Sequence, residues 1–285
     1  SYEVPRFDGI GANEYIVDVT HDACDFISAV DTPYLWELNI WYHTLNTGVT
    51  TRISGETDFP CIYDERVGMA RTYAPMKGRL DFDAYVEKIK LGENYVCDGK
   101  SHILDFRADG VTMGQDGSAL KLAAAKKVKV SARVAAYLPE QQDKTGMTLS
   151  ERQQGSPYWH IEKARIGTTR TVPVELLVNG KPIARETIEA DGKLRKVSFE
   201  CPIEYSSWIA IRILPSSHTN PIFVTVGDKP IRASKKSAQW CRAAVDRCWQ
   251  MKESQIREPE RPAAKAAYDQ ARAYYDKAIA EAAGE

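Results

Sequence analysis

The sequence lacks long apolar runs, a surplus of either charge, and cysteine pairs at the spacing of known motifs. No stretch approaches the roughly 18–20 uninterrupted apolar residues of a membrane-spanning helix, so no membrane span is expected. Lys and Arg total 38 against 39 Asp and Glu, a formal net charge of −1 that offers no basic field to a nucleic acid backbone. The six cysteines include no C-x-x-C pair, which argues against zinc-finger or thioredoxin-type sites. Because of the charge balance, nucleic acid binding is not expected.

Several sequence signatures of catalysis are also missing. There is no G-x-S-x-G nucleophile motif, no Walker loop and no dinucleotide glycine fingerprint. The five histidines form neither a His-x-His nor a pair four residues apart, the spacings with which a strand or a helix holds a metal. The chain starts at Ser1 with neither an initiator Met nor the layout of a signal peptide. This start predicts that an upstream part was removed or that the chain begins mid-protein.

The hydrophobic pattern divides the 285 residues into three regions. From residue 15 to about residue 91 the segments alternate in the α/β manner. This region comprises short apolar runs at 15–19 and 26–30, a predicted helix over 33–45 closed by Asn46-Thr47-Gly48, a predicted strand over 49–54 and a predicted helix over 81–91. The last of these carries Phe82, Tyr85, Val86 and Ile89 on one face and ends at Gly92.

The other two regions are predicted to be a β-sandwich and a helical end. From about residue 101 to residue 226 the apolar residues recur with period two, and Asn179-Gly180 is a strong hairpin signal. Short strands at regular spacing without helices between them predict an antiparallel sandwich. From Ser234 onward the pattern is helical, with Ser234 or Ser237 as the first cap and Pro262 opening a second helix.

The strongest local candidate for chemistry lies in the segment Ser54-Gly55-Glu56-Thr57-Asp58. A strand that ends in glycine and then presents carboxylates is how α/β barrels place functional groups at the mouth where their loops converge. Asp58 is therefore a candidate metal ligand or general base, with a helix cap or an ordinary loop carboxylate as the alternative. For His43, and for each of the other histidines, a structural role is the alternative to a functional one.

A resemblance to a known family is carried by residues 36–48 (WELNIWYHTLNTG), 54–60 (SGETDFP), 68–73 (GMARTY), 91–99 (LGENYVCDG) and 174–180 (VELLVNG). In this order the segments resemble the end of the PHP-type metallohydrolases, and within them the carbaryl-hydrolase-like branch. The resemblance covers roughly residues 1–225. It implies an α+β chain with the C-terminal part of a PHP-like α/β barrel over 1–99, an antiparallel β-sandwich over 100–228 and a helical segment over 229–285.

The resemblance also implies an activity, a cofactor and partners. The family's distorted barrel holds two or three divalent metals, usually zinc, manganese or iron, which activate water to attack an ester, carbamate or phosphoester of a small-molecule substrate. Only Asp58 matches a metal-ligand position, and Pro60 stands where the family commonly has a histidine. The remaining ligands belong to an N-terminal barrel half, expected to be missing or to be a companion chain. An exported bacterial protein is consistent with such a hydrolase.

Three further residues are expected to line the barrel mouth beside Asp58, namely His43, Glu56 and Arg71. Arg71 would orient an anionic or carbonyl group of the substrate through its two-pronged donor geometry, with an ordinary ion pair as the alternative. A second hypothesis comes from a different class: a non-catalytic module whose sandwich binds a glycan or a protein through aromatics such as Tyr158 and Trp159, unless these are packed in the core.

Overall fold

The structure is a computed structural model, and it describes residues 1–7, 14–29, 34–57, 68, 70–142 and 160–284. These residues form a mixed α+β protein with several sheets, one of them entirely antiparallel, and with helices at the C-terminal end. Of the helices in this part of the chain, none is long and apolar enough to cross a membrane. The candidate residues Asp58, Tyr158 and Trp159 lie outside the described residues.

The described helices include α1 (Tyr15–Asp18), α2 (Tyr34–Leu45), α3 (Phe82–Leu91), a first C-terminal helix (Lys235–Lys252) and a second C-terminal helix (Arg261–Glu281). Short 3-10 turns lie at Val19–His21, Gln115–Ser118, Ile161–Ala164, Glu253–Gln255 and Glu258–Glu260. The strands are β1 (Phe26–Ser28), β2 (Arg52–Ser54), β3 (Arg71–Tyr73), β4 (Tyr95–Cys97), β5 (Ser101–Ala108), β6 (Val111–Thr112), β7 (Ala119–Leu122), β8 (Lys126–Ala136), β9 (Thr171–Val178), β10 (Lys181–Glu189), β11 (Arg195–Ile203), β12 (Ser207–Ile213), β13 (Ser217–Thr219) and β14 (Ile222–Val226). The apolar run at 15–19 is thus helical.

Strands β1 and β2 are parallel and are connected through α2, as the α/β alternation predicts. The edge of β2 that faces away from β1 is closed by two buried asparagines. Asn220 accepts the Ile53 N–H at 2.8 Å, and Asn94 donates to the Ile53 carbonyl at 2.9 Å. Asn220 also donates to the side-chain oxygen of Asn94 at 3.0 Å. Side-chain amides therefore satisfy the backbone groups that another strand would otherwise pair.

The largest sheet follows the order β10-β9-β12-β13-β4-β3, and β14 joins it through β12 and pairs in parallel with β7. Strands β3 and β4 lie in the region predicted as the barrel end, yet β4 pairs antiparallel with β13. The predicted hairpin at Asn179-Gly180 is confirmed between β9 and β10, and both residues have positive φ angles of 52° and 82°.

The smaller antiparallel sheet has the order β11-β8-β5-β6 and shares a hydrophobic cluster with one face of the largest sheet. Val130 and Phe199 contribute from the smaller sheet, and Leu176 and Ile211 from the larger one. The opposite face of the largest sheet carries Trp208, which belongs to a second cluster with the helices and with β1 and β2. The largest sheet is therefore buried on both faces.

The helix ends follow the sequence signals, but the packing of α3 differs from expectation. Asp81 caps α3 by accepting the Ala84 N–H at 2.8 Å, and Gly92 ends it with a φ of 74°. The predicted apolar face of α3 has no buried member: Phe82 is 76% exposed and Val86 44% exposed. At the other end of the chain, Ser234 caps the first C-terminal helix as predicted.

Candidate functional site

The candidate site begins at the carboxyl end of β2, where residues 55–57 lie against β3. The Gly55 N–H donates to the Thr72 hydroxyl oxygen at 2.8 Å, and the Gly68 N–H donates to that of Thr57 at 3.1 Å. A Cβ at Gly55 would lie 2.8 Å from the Arg71 carbonyl oxygen, so the close approach of the two backbones requires glycine. The segments that carry Glu56 and Arg71 are thereby brought together.

Arg71 presents an exposed guanidinium group beside this junction. Its Nε donates to the Gly68 carbonyl oxygen at 2.9 Å, and its Nη1 lies 3.4 Å from the Tyr73 hydroxyl oxygen. The hydrogen bond to Tyr73 raises the pKa of Arg71, so the group stays charged at any working pH. The Nε contact fixes the plane of the guanidinium.

Two tyrosines and a histidine pack next to Arg71, where Tyr73 and His102 are half-buried and Tyr95 is buried. The rings of Tyr73 and Tyr95 stack with centroids 5.4 Å apart, and the His102 ring meets Tyr73 edge-on at 5.1 Å. The Tyr95 hydroxyl and His102 Nδ1 are 2.7 Å apart. Burial, and secondarily the charge of Arg71, lower the pKa of His102, which is therefore neutral at pH 7. Arg71, Tyr73, Tyr95 and His102 are called the Arg71 patch below.

The other predicted site residues lie in different surroundings. Glu56 is exposed, and Asp58 lies outside the described residues. His43 is buried between the chain start and the first C-terminal helix: Nε2 contacts the Ser1 carbonyl oxygen at 2.7 Å and Nδ1 the Ser237 hydroxyl at 3.0 Å. Its ring stacks on Trp240 at 4.4 Å, and burial lowers its pKa to about 4. The contacts of His43 are those of a neutral, packed side chain.

Asp98, which the sequence did not single out, fastens three segments beside the Arg71 patch. Its Oδ1 accepts from the Ser216 hydroxyl at 2.7 Å and the Lys100 N–H at 2.8 Å, and its Oδ2 accepts from the Ile161 N–H at 2.8 Å. Burial outweighs these hydrogen bonds and raises the pKa of Asp98 to about 6. An Asp-Gly pair directly after a short apolar run was the available signal, and it indicates only a turn.

A buried charge network also lies outside the predicted site. Glu175, within the segment 174–180, accepts from Arg212 Nε at 2.8 Å and from Arg185 Nη2 at 2.7 Å. Burial raises the pKa of Glu175, but the two arginines outweigh burial and bring it below its usual value. Arg212 also donates to the Tyr42 hydroxyl at 3.3 Å, and that hydroxyl lies 2.5 Å from His218 Nε2. His218 is fully buried, which suits a structural role.

The described residues alone do not fit the divalent metal that the family resemblance implies. Within residues 1–7, 14–29, 34–57, 68, 70–142 and 160–284, no three His, Cys, Asp or Glu side chains lie close enough to share an ion. A catalytic zinc needs about three protein ligands. No catalytic step through a metal is therefore derived for these residues.

The fold and the site define a mixed α+β protein with an exposed arginine, beside half-buried and buried tyrosines, near the carboxyl end of a parallel strand pair. Comparison with models of known protein families, with curated proteins and with solved structures gives no match.

Proposed function

We propose that this chain is the substrate-binding part of a metallohydrolase-like protein, with a barrel end over 1–99, a β-sandwich over 100–228 and helices over 229–285. The observation that carries the proposal is the docking of residues 55–57 onto β3. Hydrogen bonds from Gly55 and Gly68 hold the strand-end loop of Glu56 next to the exposed Arg71. Loops after parallel strands are the usual place for a binding site in α/β proteins.

In this proposal Arg71 binds a carboxylate, phosphate or carbonyl oxygen of a small-molecule substrate. The Gly68 carbonyl already orients the guanidinium, so little side-chain freedom is lost when the substrate binds. The Tyr73 hydroxyl, beside Nη1, adds a second polar group, and its ring offers a flat apolar surface. Zinc, manganese or iron would supply the activated water, and its ligands would include Asp58 and residues of an upstream segment or companion chain.

The binding step is tested with aromatic anions that resemble such a substrate. Calorimetric titration with 4-nitrobenzoate and 4-nitrophenyl phosphate is expected to give saturable binding that Arg71→Gln weakens about tenfold, because a hydrogen bond to a charged group contributes roughly 1.5–3 kcal/mol. Arg107→Gln, a change at an exposed arginine on β5, is the matched control and is expected to bind like the wild type. Equal affinity of Arg71→Gln and wild type would remove Arg71 from the site.

The hydrolytic step is tested by elemental analysis of the natively purified full-length protein. If the two-metal hypothesis is correct, we expect about two equivalents of metal and a co-purifying companion chain of barrel size. Asp58→Ala should then lower both metal content and hydrolysis. Metal-free protein that purifies alone would leave the chain as a binding module only.

A second candidate function, a non-catalytic protein-binding module, is favoured by one observation. The apolar side chains of Leu80, Phe82 and Val86 are exposed on and beside α3, where no member of the helix is buried. The proposed occupant is the companion chain that carries the other barrel half. Phe82→Ser is expected to release that chain in size-exclusion chromatography, whereas the exposed Ile166→Ser should not.

A further inference from the structure

Two glycines leave the space in which the Arg71 guanidinium lies. A Cβ built on Gly99 would lie well inside van der Waals contact with Arg71 Nη1 and 3.0 Å from its Cζ. A Cβ built on Gly68 would lie 3.0 Å from Nε and 3.4 Å from Nη2. The two glycines have positive φ angles of 78° and 82°. The position of the guanidinium therefore depends on the absence of a side chain, most strictly at position 99.

The turn that carries Gly99 is held by hydrogen bonds on both sides of the glycine. The Asp98 N–H donates to the Ser216 carbonyl oxygen at 3.0 Å, and the Lys100 N–H donates to Asp98 Oδ1 at 2.8 Å. Arg71 instead meets the turn with the far end of a long side chain that has several rotatable bonds. If a Cβ were added at position 99, the guanidinium would therefore move and the turn would stay.

The position of the guanidinium decides which hydrogen bonds Arg71 can make. Relief of the contact at position 99 requires Nη1 to move by about 1 Å, which would stretch or bend the 2.9 Å bond from Nε to the Gly68 carbonyl oxygen. An arginine released from this bond also loses more side-chain freedom when it binds an oxyanion. Gly99 can thus affect the affinity of the site without supplying a ligand atom.

We propose that Gly99 is a positioning residue of the anion site, which leaves room for Arg71 Nη1 and so keeps the guanidinium in the orientation that binds the substrate oxygen. This inference rests on the proposed function of Arg71 and deepens it, because it names the residue that sets the geometry of that site. It predicts that glycine is required at position 99 because of the Arg71 side chain, in addition to the positive φ angle of the backbone.

The first test compares Gly99→Ala with Gly110→Ala in the full chain. Gly110 lies between β5 and β6 and also has a positive φ, of 88°, but a Cβ there would meet nothing within 4 Å. Both variants carry the same kind of backbone strain and should lower the urea midpoint by similar amounts. In titrations with 4-nitrobenzoate, Gly99→Ala is expected to weaken binding about fivefold, because only there is the guanidinium displaced. Gly110→Ala should bind like the wild type.

A double variant shows whether Gly99 acts through Arg71. In the Arg71→Gln background, the addition of Gly99→Ala should leave the remaining affinity unchanged, because no guanidinium is left to displace. The same fivefold loss in that background would overturn the proposal, since the effect would then not pass through Arg71. Equal affinities of Gly99→Ala and Gly110→Ala for 4-nitrobenzoate would overturn it as well.

A measurement without ligand separates this inference from the proposed function. In the wild type and in Gly110→Ala, ¹⁵N relaxation should show a more restricted Nε–H bond in Arg71 than in the exposed Arg107. In Gly99→Ala the two arginines should become similar. If Arg71 is already as mobile as Arg107 in the wild type, the positioning role is wrong, whether or not Gly99→Ala folds. A restricted Arg71 in a wild type that binds neither 4-nitrobenzoate nor 4-nitrophenyl phosphate would reject the proposed function, and the positioning role with it.

Discussion

The largest sheet and the parallel pair β1 and β2 differ in how their buried charged side chains are paired. On the largest sheet, Glu175 lies between Arg212 and Arg185, so each of these cations has a carboxylate partner. On β2, by contrast, Arg52 is buried without an ion pair in the described chain, and the open strand edge is closed by the neutral amides of Asn94 and Asn220. The contrast teaches that the buried Arg212 has its counter-charge within the same sheet, while the buried Arg52 has none among the described residues.

The largest effect is expected at the amide closure of β2. Asn220→Ala removes the acceptor of the Ile53 N–H and a donor to Asn94, all of them buried, and is expected to destabilise the protein by about 2–4 kcal/mol. Urea unfolding measures this loss. Hydrogen exchange should localise it to β1 and β2 first. Asn39→Ala is the matched control, because the bond of the Asn39 side chain to the Ser1 nitrogen, at 2.6 Å, is exposed to solvent. This change should cost less than about 1 kcal/mol. Equal losses of stability in the two variants would contradict the role of Asn220 in closing the edge of β2.

A smaller effect is expected in the sheet region, at the carboxylate between two arginines. Glu175→Gln keeps the shape but removes the negative charge, and leaves Arg212 largely buried without a counter-charge. The expected loss is about 1–3 kcal/mol by urea unfolding, because the pair is only partly shielded from water. Glu200→Gln, which breaks the exposed contact with Lys127 at 3.3 Å, should change stability by less than about 0.5 kcal/mol. If Glu175→Gln is as mild as this control, the sheet region does not rely on charge pairing.

The next prediction concerns the pH dependence of stability, to which Asp98 contributes. Its pKa is raised to about 6 in the folded state, so between about pH 4 and pH 6 the folded protein binds more protons than the unfolded chain. The stabilisation from this group is therefore full below about pH 4 and is lost as the pH rises through about 6. Its size is expected to be about 3 kcal/mol, since a shift of one pKa unit corresponds to about 1.4 kcal/mol.

The histidines oppose this trend, and a variant separates the two contributions. Burial lowers the pKa of His43 to about 4 and of His218 to about 3, so each contributes stability above pH 6.5 that is lost as the pH falls. The difference in stability between wild type and Asp98→Asn cancels the histidines. This difference should fall between pH 4 and pH 6. A difference that is flat over this range would contradict the raised pKa.

Local sequence signals predicted the helices and the hairpin, and non-local pairing is what they missed. The Asp81 cap and Gly92 end of α3, the Ser234 cap and the Asn179-Gly180 turn depend on neighbours within a few residues. The pairing of β4 with β13 joins segments about 120 residues apart, and no pattern in either segment specifies the partner.

The same distinction explains the candidate site. The segments that carry Glu56 and Arg71 lie side by side, because the strand-end loop and the next strand are close in the sequence. His43 was expected beside them, but its partner Ser237 lies 194 residues further along the chain and holds it against another helix. Among the described residues, buried donors of Arg52 and Ser54 make no hydrogen bond, and the sequence did not predict this, because an unsatisfied group is visible only when its neighbours are known.

The smallest effect on stability is expected at the Arg71 patch. A small effect would distinguish a binding role of Arg71 from a structural one. Arg71 is exposed, and within the described residues it donates to the Gly68 carbonyl and the Tyr73 hydroxyl. Arg71→Gln should therefore change the free energy of unfolding by less than about 0.5 kcal/mol. A group kept for packing would cost more when changed, as Asn220 is expected to. If Arg71→Gln leaves urea unfolding unchanged while lowering the affinity for aromatic anions, the side chain is present for binding. If it instead destabilises the protein as much as Glu175→Gln, Arg71 is a structural cation, and the contrast between a self-sufficient sheet region and a functional strand end fails.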